Sequence, residues 1–115
     1  MMKDWLRKHP DVRTIRVAAA DLNGQARGKR VPTRFAENVV KNGTRFPFSV
    51  LNLDIWGEDI DDSPLVFEQG DQDGVLKPTE RGFMPMPWLE APTALLPIWM
   101  FRENGTPYEG DPRHA

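Results

Sequence analysis

The sequence contains no cysteine, which excludes disulfides and thiolate metal sites. Histidine occurs only as His9 and His114, near opposite ends, and serine only as Ser49 and Ser63. A histidine-based metal centre or a Ser-His-Asp triad therefore has little to draw on, and both histidines read as surface groups. No apolar run approaches the roughly 20 residues of a membrane span. The opening MMKDWLRKHP lacks the apolar stretch of a signal peptide, so a cytoplasmic location is the expectation. A net charge of −2 implies neither nucleic acid nor membrane as a partner. At 115 residues the chain is one domain at most, with room for a modest core but short for a self-contained enzyme.

What is present is uneven. Residues 1–45 hold eleven Lys and Arg against four Asp and Glu; residues 46–76 hold eight acids and no base. A basic region followed by an acidic one implies internal complementarity, a polar interface, or a solvated acidic loop.

The stretch DLNGQARGKRVP, residues 21–32, poses a choice between a phosphate-binding loop and a turn. A P-loop needs G-x-x-x-x-G-K-[ST] opening a helix. Here Gly24 and Gly28 are one residue too close, Arg30 replaces the hydroxyl residue, and Pro32 follows. Asn-Gly is the strongest short hairpin signal, and a type I′ turn centred on Asn23-Gly24 is expected. Before it, Ile15, Val17 and Ala19 alternate with Thr14, Arg16 and Ala18 at the period of a strand. Arg27, Lys29 and Arg30 then become strand side chains, either solvated or facing another protein.

Elsewhere, KDWLRKH predicts a short helix capped by Asp4 and stopped by Pro10. A second helix is expected from an N-cap at Thr33, with Phe35, Ala36, Val39 and Val40 on one stripe and an end at Asn42-Gly43. Residues 44–74 read as a long irregular segment whose apolar groups need a partner to bury against. GVLKPTE predicts a short strand, RGFMPMPWLEAP an extended connection, and TALLPIWMF a sheet strand. Pro97 in the last marks an edge position or a bulge. Asn104-Gly105 turns the chain again. This order is that of a β-grasp, ubiquitin-like α+β fold: a mixed sheet with a packed helix, plus a short N-terminal helix. Asp111 and Pro112 have the chemistry of a helix start, but too few residues follow to make a helix. The expectation is that the next domain begins there.

The search for chemistry is mostly negative. DQDG fails as a calcium loop, because counting from Asp71 the fifth and sixth positions are Val75 and Leu76, and counting from Asp59 they are Ser63 and Pro64. Met84 and Met86, beside Trp88, read as packing residues. The candidate that stands out is Asp54, flanked by Leu53 and Ile55 with Trp56 adjacent. A carboxylate in such surroundings can bind a cation or accept a proton, or can cap a turn.

Taken together, DLNGQARGKRVP, FPFSVLNLDIWG, GDQDGVLKP, PWLEAPTALLPIWMF and GTPYEGDPR resemble, in order and spacing, the N-terminal domain of the glutamine synthetase family. The branch they look most like contains γ-glutamylputrescine synthetase and other glutamate–amine ligases. The resemblance implies a β-grasp domain over residues 1–110, with 111–115 opening the catalytic domain. It implies no cofactor in this stretch, and ATP with Mg²⁺ or Mn²⁺ in the full-length enzyme. The implied partners are the chain's own C-terminal catalytic domain and neighbouring subunits of a ring, commonly a dodecamer, whose active site the N-terminal domain completes. It further implies that Asp54 binds the ammonium or amine and helps remove its proton. Ordinary glutamine synthetases follow that Asp with Gly-Ser-Ser, where this chain has Ile55-Trp56-Gly57. That points to an amine other than ammonia, with Trp56 either lining the amine pocket or packing in a core or interface. The rival expectation is a free-standing β-grasp module that binds a protein partner.

Overall fold

The computed structural model describes residues 2–52, 56 and 73–114. Helix α1 (Met2–Lys8) leads into β1 (Thr14–Ala20) and β2 (Ala26–Pro32), which pair antiparallel from Thr14↔Pro32 to Ala20↔Ala26. A 3-10 turn (Thr33–Phe35) precedes α2 (Ala36–Asn42). Then come β3 (Thr44–Pro47), a 3-10 helix (Phe48–Asn52), β4 (Asp73–Pro78), β5 (Met84–Pro85), β6 (Thr93–Phe101) and a final 3-10 turn (Pro112–His114). Among the described residues the strands form one mixed sheet in the order β2-β1-β6-β4-β3, with β5 also pairing to β6. The β1–β6 pair is parallel and the others antiparallel.

Alternation decides which face is the core. Ile15, Val17 and Ala19 are buried, as their spacing predicts, and on β6 Ala94, Leu96, Ile98 and Met100 are inaccessible. Ala36 and Val39 of α2, together with Phe48, Leu51 and Tyr108, close over them. Each fully buried aliphatic side chain here contributes about 1.5–3 kcal/mol, so β6 is the strand the domain can least spare. The α+β mixed sheet with a helix on one face is the β-grasp arrangement expected.

Several local expectations need correction. The first turn is not centred on Asn23-Gly24. The amide of Gly24 donates to the Asp21 carbonyl (3.0 Å) and that of Asp21 to the Gln25 carbonyl (2.9 Å), so Leu22-Asn23 are central. Gly24, at φ 76°, occupies the left-handed position of a three-residue loop. Asp4 lies inside α1 and pairs with Arg7 (3.6 Å) rather than capping. Thr33 does not cap α2; its hydroxyl donates to the Val12 carbonyl (3.0 Å), and the α-helix starts only at Ala36. Phe35 is 49% exposed and off the core stripe, whereas the helix end at Gly43 is as expected, its amide donating to Val39. The segment expected to be irregular supplies β3, a 3-10 helix and the start of β4; Phe48 and Leu51 bury themselves in this chain's own core. Pro97 is at neither an edge nor a bulge. It stands mid-sheet, where β6 changes partner from β1, ending at Ala18↔Pro97, to β4, beginning at Pro78↔Ile98. The missing N–H costs nothing at such a junction. Trp88 is exposed while Met86 is buried. Neither histidine is a bare surface group: His9 stacks on Trp5 (3.8 Å) and His114 on Trp99 (4.8 Å). Asp111 does cap a terminal turn, accepting from the Arg113 amide (2.9 Å), and one 3-10 turn suffices to form it.

Candidate functional site

Asp54 lies outside the described residues, as do residues 53, 55 and 57–72. Within that stretch one residue is described, Trp56, which is 80% exposed. The 3-10 helix Phe48–Asn52 is the root from which the stretch departs. Its Leu51 is completely buried, and the Leu51 carbonyl accepts the amide of Leu22 (3.0 Å) from the first hairpin tip. Asn52 comes next. Its Nδ2 donates to the Gly110 carbonyl (3.0 Å) and its Oδ1 accepts the hydroxyl of Tyr108. The ring of Tyr108 packs on Phe48 (4.6 Å between centroids), and the Arg102 guanidinium lies over both rings at 5.6 Å. The stretches FPFSVLNLDIWG and GTPYEGDPR, far apart in sequence, therefore meet at Asn52. Burial raises the Tyr108 pKa, helped by the nearby Glu109 carboxylate, so the phenol keeps its proton and stays a donor.

The hairpin tip beside this root is stiff. Asp21 is 1% exposed. Its Oδ1 accepts the amides of Asn23 (2.8 Å) and Gln25 (2.9 Å), and its Oδ2 accepts Nε of Arg27 (3.0 Å). Burial pushes its pKa up, but the hydrogen bonds from Gln25, Arg27 and Asn23 outweigh this and hold it below the usual range. Arg27 is thus committed to the turn, and Lys29 lies over the Phe46 ring at 5.4 Å. Of the three basic residues offered as a possible protein contact, Arg30 alone has no charge partner among the described residues; it stands directly across from Arg16. Gly28 sits within β2 opposite Ala18, so it cradles no phosphate.

Among the described residues no group of three or more His, Cys, Asp or Glu is placed to hold a metal ion. Sequence reasoning missed Asp21, Asn52 and Tyr108. Asp21 had a legible signal, an Asp two residues before Asn-Gly, the local Asx pattern in which a carboxylate accepts amides just ahead of it. Asn52 and Tyr108 had none, because their meeting is purely tertiary.

This architecture is that of glutamine synthetase N-terminal domains. The chain superposes on a crystal structure of a glutamine synthase homolog with a TM-score of 0.76, at 20% identity, covering 90% of this chain and 24% of that one. On GmaS in its ADP complex the TM-score is 0.67 at 23% identity, covering 94% of this chain and 22% of that one. On the Plasmodium falciparum glutamine synthetase it is 0.65 at 18% identity, covering 96% and 19%. In sequence, the chain is similar to gamma-glutamylputrescine synthetase PuuA of Escherichia coli (strain K12), 30% identical over 114 residues. That match takes in 99% of this chain and 24% of the relative, so the chain spans about a quarter of the curated protein it matches. No family model matches the chain. The resemblance read from the sequence, to the N-terminal domain of the glutamine synthetase family on its γ-glutamylputrescine synthetase side, is borne out.

Proposed function

We propose that this chain is the N-terminal domain, residues 1–110, of a cytoplasmic ATP-dependent glutamate–amine ligase, with 111–115 leading into the catalytic domain. The observation that carries this is the similarity to gamma-glutamylputrescine synthetase along 99% of the chain. On this reading ATP, Mg²⁺ or Mn²⁺ and glutamate are held by the rest of a full-length enzyme. The 115 residues alone turn nothing over. Assembled in a ring such as a dodecamer, the domain lends its loop to a neighbouring subunit's active site.

Asp54 is the residue that acts. Its carboxylate attracts the ammonium form of the amine and takes its proton, leaving a neutral nucleophile for the activated γ-carboxyl of glutamate. Trp56, which is exposed, offers an apolar wall for an alkyl amine. The test is Asp54→Asn in the full-length enzyme, which keeps size and removes charge. Product formation with putrescine and ammonium should fall about 10²–10⁴-fold. Transfer to hydroxylamine, largely neutral at pH 7, should fall far less. Equal loss with both nucleophiles would make Asp54 a folding or assembly residue. No loss with either would move the role to Asp59, Asp61 or Asp62.

One observation favours the rival, a free-standing protein-binding module: Phe48, Leu51 and Tyr108 find their packing within this chain. The length of the native reading frame separates the two, since a frame of several hundred residues fits only the ligase.

A further inference from the structure

On the face of the sheet away from the core, two arginines stand directly opposite each other. Arg16 of β1 pairs with Arg30 of β2, and its neighbour on β6 is Leu95. Like charges so placed, with Cβ atoms about 5 Å apart, destabilise a strand pair. Neither guanidinium has an acid partner among the described residues. The next row across the sheet is low: Gly28, Ala18 and Pro97. Gly28 admits no side chain, since a Cβ there would stand 1.6 Å from the Val17 carbonyl oxygen. A cleft of about 290 Å³ opens where the two rows meet, bordered by both arginines, Ala18, Gly28, Leu95 and Met86. Lys29 also borders it, but its ammonium lies over the Phe46 ring. No acid lines the cleft among the described residues. Arg113 brings a third guanidinium beside the low row, donating to the carbonyls of Ala18 (3.5 Å) and Ile98 (3.0 Å).

We propose that this cleft binds a small organic dianion, a phosphate monoester or a dicarboxylate with a short apolar body. Two neighbouring guanidiniums repel each other until an anion sits between them. Each then offers its oxygens a planar fork of N–H donors. Ala18, Leu95 and Met86 supply an apolar wall for the rest of the ligand, and the volume suits a molecule at the small end of ligand sites. Basic side chains on an edge strand also block strand-to-strand association, but Arg30 alone would do that. Arg16 is half-buried on β1, which has a strand on both sides. Its charge is partly withdrawn from water with no acid to offset the loss, and a bound anion supplies that offset. The holding groups are side chains, so the backbone phosphate loop excluded above is not called for. The site is independent of the ligase reading and would serve a free-standing module equally.

The test is calorimetric titration of the full-length protein with butyl phosphate and with succinate, in wild type, Arg16→Gln and Arg30→Gln. Acetate and chloride at equal ionic strength are the controls. At least one dianion should bind wild type, and each variant should weaken it about 10–100-fold. Arg16→Lys, which keeps the charge and loses the fork, should fall between. Binding of the phosphate alone or of the dicarboxylate alone supports the site and identifies the head group; binding of neither overturns it. Melting gives a second readout. In chloride, Arg30→Gln should melt no lower than wild type, because it relieves repulsion, whereas an arginine held for stability would lower the midpoint when replaced. The dianion should raise the midpoint of wild type and not of the Gln variants. An equal rise in chloride would mean that salt merely screens the two charges, and the proposal fails. It fails also if both Gln variants bind the dianion within twofold of wild type, which would place any binding elsewhere. Altered subunit association in sedimentation, with dianion affinity unchanged, would make the pair a protein contact and overturn the proposal in the same way.

Discussion

Two turns in this domain share a backbone and differ in what holds them. In the first, Asp21–Gln25, the amide of Asp21 donates to the carbonyl of Gln25 (2.9 Å) and that of Gly24 to Asp21 (3.0 Å). In the second, Arg102–Thr106, the amide of Arg102 donates to Thr106 (2.8 Å) and that of Gly105 to Arg102 (2.9 Å). Both contain Asn-Gly, and both glycines are left-handed, at φ 76° and 87°. The first is closed from inside by a buried carboxylate and docks on Leu51. The second is closed from outside: Asn104 Oδ1 accepts the amide and hydroxyl of Thr106, and Arg45–Glu103 and Arg102–Glu109 pair in solvent. Local sequence fixes the turn geometry; burial decides how much rigidity it passes on. The stiff turn is the one bonded to Leu51, in the 3-10 helix that precedes Asp54 in sequence.

The largest effect should follow loss of the buried acid. Asp21→Ala leaves two turn amides and the partly buried Arg27 without their acceptor. Hydrogen bonds to a charged group are worth about 1.5–3 kcal/mol, and not all of that is lost where water can enter. We expect a cost of about 2–4 kcal/mol, a fall in melting temperature on the order of 10 °C. Asp21→Asn adds a pH test. The native carboxyl titrates below its unfolded value of about 3.9. Its stabilising effect is therefore complete above that value and is lost as pH falls through the lower folded pKa. The gap between wild type and Asp21→Asn should stay constant from pH 7 to about 5 and close only below about 4. A gap that closes near pH 6 would mean a different group is responsible.

Gly24→Val and Gly105→Val should come next, and should match each other. Nothing lies within 4 Å of a Cβ built at either glycine, so the cost is that of the left-handed backbone alone, about 1–2 kcal/mol. Thermal melts of the two variants should agree within roughly 0.5 kcal/mol. A clearly larger loss at Gly24 would show that docking on Leu51 adds to the backbone term, and would sharpen the contrast between the turns.

How far all this was legible in the sequence depends on the range of the interaction. Strand β1 was plain, because Ile15, Val17 and Ala19 alternate and one face of the sheet is dry. The end of α2 at Gly43 and the cap at Asp111 were plain for the same local reason. Strand β3 was not: Thr44–Pro47 is four residues ending in proline, and only its pairing with β4 makes it a strand. Pro97 misled because propensity knows nothing of a strand that changes neighbours. At the candidate site, Asp54 stood out by its apolar neighbours and by the family resemblance. The contact that joins Asn52 to Tyr108 was invisible, since the two residues have no local pattern in common.

The smallest effect should come from the acids that distinguish the second turn. Glu103 and Glu109 pair with Arg45 and Arg102; the Arg45 contact holds the Glu103 carboxyl below its usual range, and a hydrogen bond from its own backbone, then the Arg102 contact, does the same for Glu109. Yet all four side chains are substantially exposed. In water the attraction between such charges is weak, salt screens it, and ordering two long side chains offsets what remains. Glu103→Gln and Glu109→Gln, singly, should leave the melting temperature within error at 0.15 M salt. At low salt the wild type should hold a slight advantage, and it should vanish as salt is added. Asn104→Ala is the internal control, because Asn104 closes the turn by hydrogen bonds that salt does not screen. Its loss, about 0.5–1.5 kcal/mol, should be the same at both salt concentrations. Should Glu109→Gln prove as costly as Asp21→Asn, the distinction between the turns would collapse: a solvent-exposed pair would be conferring the rigidity here assigned to burial.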